Sequence, residues 1–334
     1  MIMHPAVISL FVGSVLVCLM VLYSARYGAT ILTRWDLRSG SELQLTLERK
    51  TYLISTIMSY VFVFQLFSLF LFIFTADKLS TLFTGAMCAA GTLNVNNFGY
   101  PTMVLKVINF ILGGMWLVLN HADNRAFDYP LIKKKYLLLM AIAPFVIAET
   151  IVQGAYFLNL KAHVITSCCG SLFSTEGEGI QAGLAGFPVI PMKILFYGAM
   201  GLTCLAGLYF YIKGRATGVF FSLMSIVTFG VSVAALISFI SVYFYELPTH
   251  HCPFCILQGE YHYAGYPLYL ALLCGAVGGT GVGTLFPFRK IESLKDAIPL
   301  IQKRLTLMTL LSYLLFTAVT TGAIIFTDFR LDGY

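Results

Sequence analysis

The chain has 334 residues, of which 58% are hydrophobic, 15% aromatic and only 11% charged, with a formal net charge of +6. A water-soluble domain carries roughly 25% charged residues, so this chain cannot cover its surface with polar groups, and lipid must be its solvent. Soluble and nucleic-acid-binding classes are thereby excluded. Apolar stretches of about 20 residues predict an all-α, polytopic transmembrane helix bundle, because a helix satisfies every backbone polar group within its own segment.

Eight spans are expected, at roughly 6–23, 53–75, 101–120, 136–158, 192–212, 217–243, 264–286 and 305–327. The first follows "MIMHP" and lacks a basic leader and a small-residue cleavage site, so it reads as a retained helix. Before the second, the piece "SGSELQLTLERKTYLIST" (Ser39 to Thr56) looks amphipathic and is expected to lie along the membrane surface. Loops are short, and the whole chain reads as a single integral membrane domain, 1–334.

Eight spans place both termini on one side. The loop set 24–52, 121–135, 213–216 and 287–304 holds 16 of the 21 Lys+Arg, among them Arg26, Arg34, Lys133, Lys134 and Arg289. Lys106 and Lys193 fall just inside spans on the other side. This bias predicts the basic set in the cytoplasm and both termini outside, which is the periplasm for a protein of a bacterial inner membrane.

The chain has eight cysteines. Cys18, Cys204 and Cys274 lie within spans and read as small buried hydrophobes. The other five fall on the expected outer side: Cys88 in "TGAMCAAGTLNVNNFGYP", Cys168 and Cys169 in "ITSCCGSLFS", and Cys252 and Cys255 in "HHCPFCILQ". Thiols gathered on an oxidising side point to disulfide or metal–thiolate chemistry. Cys252 and Cys255 are expected at the start of span seven, where a helix N-terminus favours the thiolate. His250 and His251, if protonated, add to that effect.

"HCPFCILQ" entering a transmembrane helix resembles the quinone-linked disulfide-forming membrane proteins, bacterial disulfide bond formation protein B and its relatives. The wider plan is similar to the vitamin K epoxide reductase group. The resemblance implies that Cys252 and Cys255 face a quinone, with His250, His251, Gln258 and Gln153 around it. It also implies that Cys88 with Cys168 or Cys169 relays electrons to a soluble periplasmic partner, thioredoxin-like or a cytochrome.

Three other readings of the same residues stay open. The cysteines with nearby histidines could ligate copper(I), zinc or mercury. The chain could be a cofactor-free, quinone-interacting anchor of a respiratory complex, or a transporter. Covalent c-type haem attachment is excluded, since Ile256 rather than His follows Cys255.

Two further features stand inside spans. Glu149, with Gln153 one turn on, is the acidic residue expected deepest in lipid, and serves either as a proton relay or as an interhelical hydrogen-bonding group; Gln65 and Asn109 read as packing polar groups. "CGAVGGTGVG" (Cys274 to Gly283) has glycine spacings of a nucleotide loop but no preceding strand, so it predicts close helix packing.

Overall fold

The structure is a computed structural model, and it describes residues 3–36, 39–161, 164–166, 180–214 and 217–331. Cys168 and Cys169 lie outside these residues, as do Glu176 and Glu178. The described residues are helical with no strand. The helices are α1 (Pro5–Arg34), α2 (Glu42–Leu79), α3 (Ala89–Leu93), α4 (Gly99–Asp123), α5 (Ile132–Leu158), α6 (Ile180–Ala185), α7 (Val189–Lys213), α8 (Gly218–Ala235), α9 (Ser241–Tyr245), α10 (Gly265–Leu285) and α11 (Ala297–Phe326). Between α8 and α9 the helix continues through a wide π turn, Leu236–Ile240. Among the described residues eight helices are long and apolar enough to cross a membrane, and the class is an all-α polytopic bundle.

Local chemistry sets the helix ends. Pro5 begins α1, where its missing N–H costs nothing. Gly214, left-handed at φ 70°, closes α7 by donating its N–H to the Phe210 carbonyl at 2.8 Å. The amphipathic piece before the second span does not form a separate surface helix. No glycine or proline interrupts residues 42–79, so α2 runs unbroken through both for 38 residues, about 57 Å at 1.5 Å per residue. Large apolar side chains stay exposed on the spans, for example Ile194, Leu205 and Leu223, as a lipid-facing surface requires.

The chain divides into two compact units. Unit one comprises 1–73, 96–160 and 287–301; unit two comprises 74–95, 161–286 and 302–334. In unit one a buried core forms around Met58, Phe62, Trp116, Leu139 and Ile142, with the Phe62 and Trp116 rings 5.0 Å apart. In unit two the glycines of α10 form the predicted seam. A Cβ at Gly279 would collide with the Ser225 side chain of α8, and one at Gly275 with Tyr313 of α11. Only hydrogen at these positions lets the helices approach so closely. The half-buried Cys18, Cys204 and Cys274 are less enclosed than the expectation of small buried hydrophobes.

Candidate functional site

The cluster of interest lies wholly in unit two and is built from two loops. The first follows α2 and holds Cys88 immediately before α3, in extended backbone at φ −153°, ψ −175°. It is fixed from several directions. Gly85 adopts φ +91°, and a Cβ there would strike the Thr166 carbonyl. The Thr166 N–H donates to Thr84 O at 3.1 Å, and its hydroxyl donates to Gly91 O at 2.9 Å.

The second loop, between α9 and α10, carries Cys252 and Cys255. Here the structure corrects the expected placement at a helix start. Cys255 opens a short 3₁₀ turn, Cys255–Leu257, and a second turn follows at Gly259–Tyr261. The span begins only at Gly265. Extended backbone at Gln258 and left-handed His262 and Tyr263 (both φ 54°) keep the apolar run after Cys255 from winding straight into the helix. Neither thiol stands at the N-terminus of α10.

The two loops meet at sulfur. Cys88 Sγ lies 3.7 Å from Cys252 Sγ, and the Sγ atoms of Cys88, Cys252 and Cys255 all lie within 4.8 Å of one another. Relative exposures are 0%, 0% and 5% respectively. His250 Nε2 sits 3.3 Å from Cys255 Sγ.

Second contacts hold the turn in place. The Tyr245 hydroxyl donates to Cys252 O at 2.5 Å and accepts from the Ile256 N–H at 2.8 Å. Tyr269 donates to the Pro253 carbonyl. The Tyr245 ring meets His250 and Tyr261 edge-on, each centroid 4.7 Å away. Gln258 Nε2 donates to Asp77 Oδ1 at 3.0 Å and to Met87 O at 2.8 Å. It thereby ties the two cysteine loops together.

The two histidines do different work. His251 Nδ1 faces the carbonyls of Ile237 and Ser238 at 3.0 and 3.1 Å, so that nitrogen carries the proton and donates to the π turn. Burial lowers the His250 pKa below its ordinary value, against a smaller raising effect of Cys88. Burial thus favours the neutral imidazole and disfavours the protonation on which its thiolate-stabilising effect depends. Burial, with Cys255 and Glu260 beside it, raises the Tyr261 phenol.

Glu149 and Gln153 belong to unit one. Glu149 Oε1 accepts from Lys106 Nζ at 2.7 Å, and Oε2 accepts from Gln65 Nε2 and Asn109 Nδ2 at 2.5 Å each. Lys106 also donates to Ser68 Oγ at 2.7 Å. Glu149 and Lys106 are 2% and 1% exposed. Three side chains from α2 and α4 thus donate to one carboxylate on α5. Gln153 Nε2 donates to Leu10 O at 3.0 Å and Ser14 Oγ at 3.1 Å on α1. A second buried pair, Lys135–Asp123 at 2.8 Å, lies between α5 and the end of α4. Sequence reasoning missed both lysines as partners; the available signal was a lysine set inside an apolar run, at Lys106.

Comparison with known proteins gives no match: no family model, curated protein or solved structure resembles the chain.

Proposed function

We propose that this membrane protein binds a soft or borderline metal ion through the thiolates of Cys88, Cys252 and Cys255. The convergence of three buried sulfurs from two separate loops carries the reading. Tetrahedral metal–sulfur bonds of about 2.3 Å place neighbouring sulfurs about 3.8 Å apart, and Cys88 and Cys252 stand at 3.7 Å. Burial suits an ion that is held and suits exchange with a soluble protein poorly, because a docked partner's thiol cannot reach these sulfurs in this conformation.

A second reading keeps the thiols as a redox centre, and the His250–Cys255 contact favours it. A neutral imidazole can take the Cys255 proton and generate the thiolate nucleophile. Two thiols then become one disulfide, releasing two protons and two electrons to a quinone, which becomes quinol. On this reading the basic-loop bias sets the cysteines on the periplasmic face of a bacterial inner membrane, and Cys168 and Cys169 pass electrons to a thioredoxin-like or cytochrome partner. Glu149, held by three side-chain donors, fits an interhelical clasp on either reading.

Elemental analysis and thiol counting on the purified protein separate the two. The metal reading expects stoichiometric metal in the wild type and none in Cys252→Ser. Metal-free protein whose thiols appear only after reduction would transfer the site to the redox reading. Neither result would leave the cysteines incidental, as in a respiratory anchor subunit.

A further inference from the structure

Resting on the metal–thiolate reading, we propose that His250 is the fourth ligand and that the ion is a divalent cation of the zinc class in a closed, tetrahedral site of three sulfurs and one nitrogen. A tetrahedron has three pairs of edges that share no corner. Here one such pair is Cys88–Cys252 and His250–Cys255. With bonds of about 2.3 Å to sulfur and about 2.0 Å to nitrogen, those edges measure about 3.8 and 3.5 Å. The structure gives 3.7 and 3.3 Å. Both are near their bonded lengths and the three sulfurs lie within 4.8 Å of one another, while His250 meets only Cys255 and its ring must swing toward Cys88 and Cys252 to complete the set.

The imidazole is positioned by the same residue that positions the thiols. Tyr245 packs edge-on against the His250 ring while its hydroxyl holds the backbone on both sides of the Cys252–Cys255 turn. The His250 backbone N–H donates to Leu247 O at 3.2 Å. His251, the neighbouring alternative, is engaged with the π turn through Nδ1, which leaves His250 as the nitrogen that meets sulfur.

Ligand number and charge select the ion. Copper(I) is satisfied by thiolates alone at low coordination, so it leaves the imidazole no role. Zinc-class ions have no geometric preference of their own and take four ligands, commonly cysteine with histidine. Three thiolates carry three negative charges into a buried site, and a divalent ion cancels more of them than a monovalent one. With four protein ligands no position is left for water or substrate, so the ion fastens the loop after α2 to the loop before α10 and performs no catalysis.

Cobalt(II) titration of the full-length protein in detergent tests this. The wild type should give the intense visible bands of a tetrahedral sulfur-rich site, and zinc(II) should displace the cobalt. His250→Ala should weaken cobalt and zinc binding by about tenfold or more and reduce the tetrahedral bands. His250→Cys should restore binding with added sulfur-to-metal charge transfer, which separates a lost ligand from a misfolded loop. Wild-type affinity and spectrum in His250→Ala, with Cys252→Ser inactive in binding, overturn the fourth ligand and keep the three-thiolate reading. Failure of the wild type to take up cobalt or zinc overturns the zinc-class assignment, and failure to take up copper(I) as well overturns the metal reading itself.

Discussion

Cys88 and Cys252 are 164 positions apart in the chain, yet their sulfurs lie 3.7 Å from each other in a fully buried contact. Two loops must be threaded to the same point for this to occur. Gln258 does part of that work by donating to Asp77 and to the Met87 carbonyl, one residue before Cys88.

Removing the ion should therefore loosen both loops together. A ligand present at a hundredfold excess over its Kd stabilises the folded form by about 2.7 kcal/mol. Treatment with a strong chelator is expected to lower the thermal midpoint of the wild type and leave that of Cys88→Ser unchanged. Alkylation followed by mass spectrometry should label the half-buried Cys18, Cys204 and Cys274 first. Cys88, Cys252 and Cys255 should label only after chelation or unfolding.

Tyr245→Phe removes a hydroxyl that bonds Cys252 O and the Ile256 N–H. Two buried backbone groups lose their partner, at a cost of about 1–3 kcal/mol each. Metal affinity should fall by about tenfold to a hundredfold, as when outer contacts of a metal site are deleted. Competition with a chromophoric chelator measures it; unchanged affinity would show that the phenol does not hold the turn.

In unit one, the Lys106–Glu149 pair is enclosed by Gln65, Asn109 and Ser68. Breaking a buried pair by removing one partner costs about 3–5 kcal/mol. Lys106→Met and Glu149→Gln should each destabilise the protein in denaturant titrations, and the double variant should recover much of the loss. A strictly additive double variant would argue against direct coupling.

Gly279→Ala should lower stability by about 1–3 kcal/mol through overpacking against Ser225. Gly201→Ala, whose Cβ would meet nothing within 4 Å, is the control and should be neutral or slightly stabilising. Thermal midpoints of the two variants in one detergent decide the point.

The spans were legible because each is a long apolar run, and a long apolar run in lipid has one stable form. The glycine seam at 274–283 was legible because small residues at helical spacing have one common use. The continuity of α2 was less so: the amphipathic pattern suggested a surface helix, but nothing in residues 42–79 provides a break. The site was half legible. Cys88, Cys252 and Cys255 were singled out, with Cys168 and Cys169, by the gathering of five cysteines on the expected outer side. Which sulfurs meet, and that Lys106 answers Glu149, are contacts between distant segments, for which local periodicity carries no signal. The start of the seventh span was read to within a residue, but the cysteines were set against it, because apolarity after Cys255 looks the same in a buried 3₁₀ turn as in a span. Backbone breaks at Gln258, His262 and Tyr263 decide between them.

The wide turn at Leu236–Ile240 amounts to an α-helix with one residue inserted. In an unbroken α-helix an added residue would rotate everything beyond it by about 100° and advance it by 1.5 Å; the wide turn takes up the residue instead. Tyr245 stands beyond the turn, so the azimuth from which its phenol reaches the Cys252 carbonyl holds only while the turn stays wide. Tightening 236–240 to α pitch with every residue kept would swing the phenol off the cysteine loop without altering any of the residues that meet there. The aim of the centre thus depends on the pitch of one turn, and not only on side-chain identity.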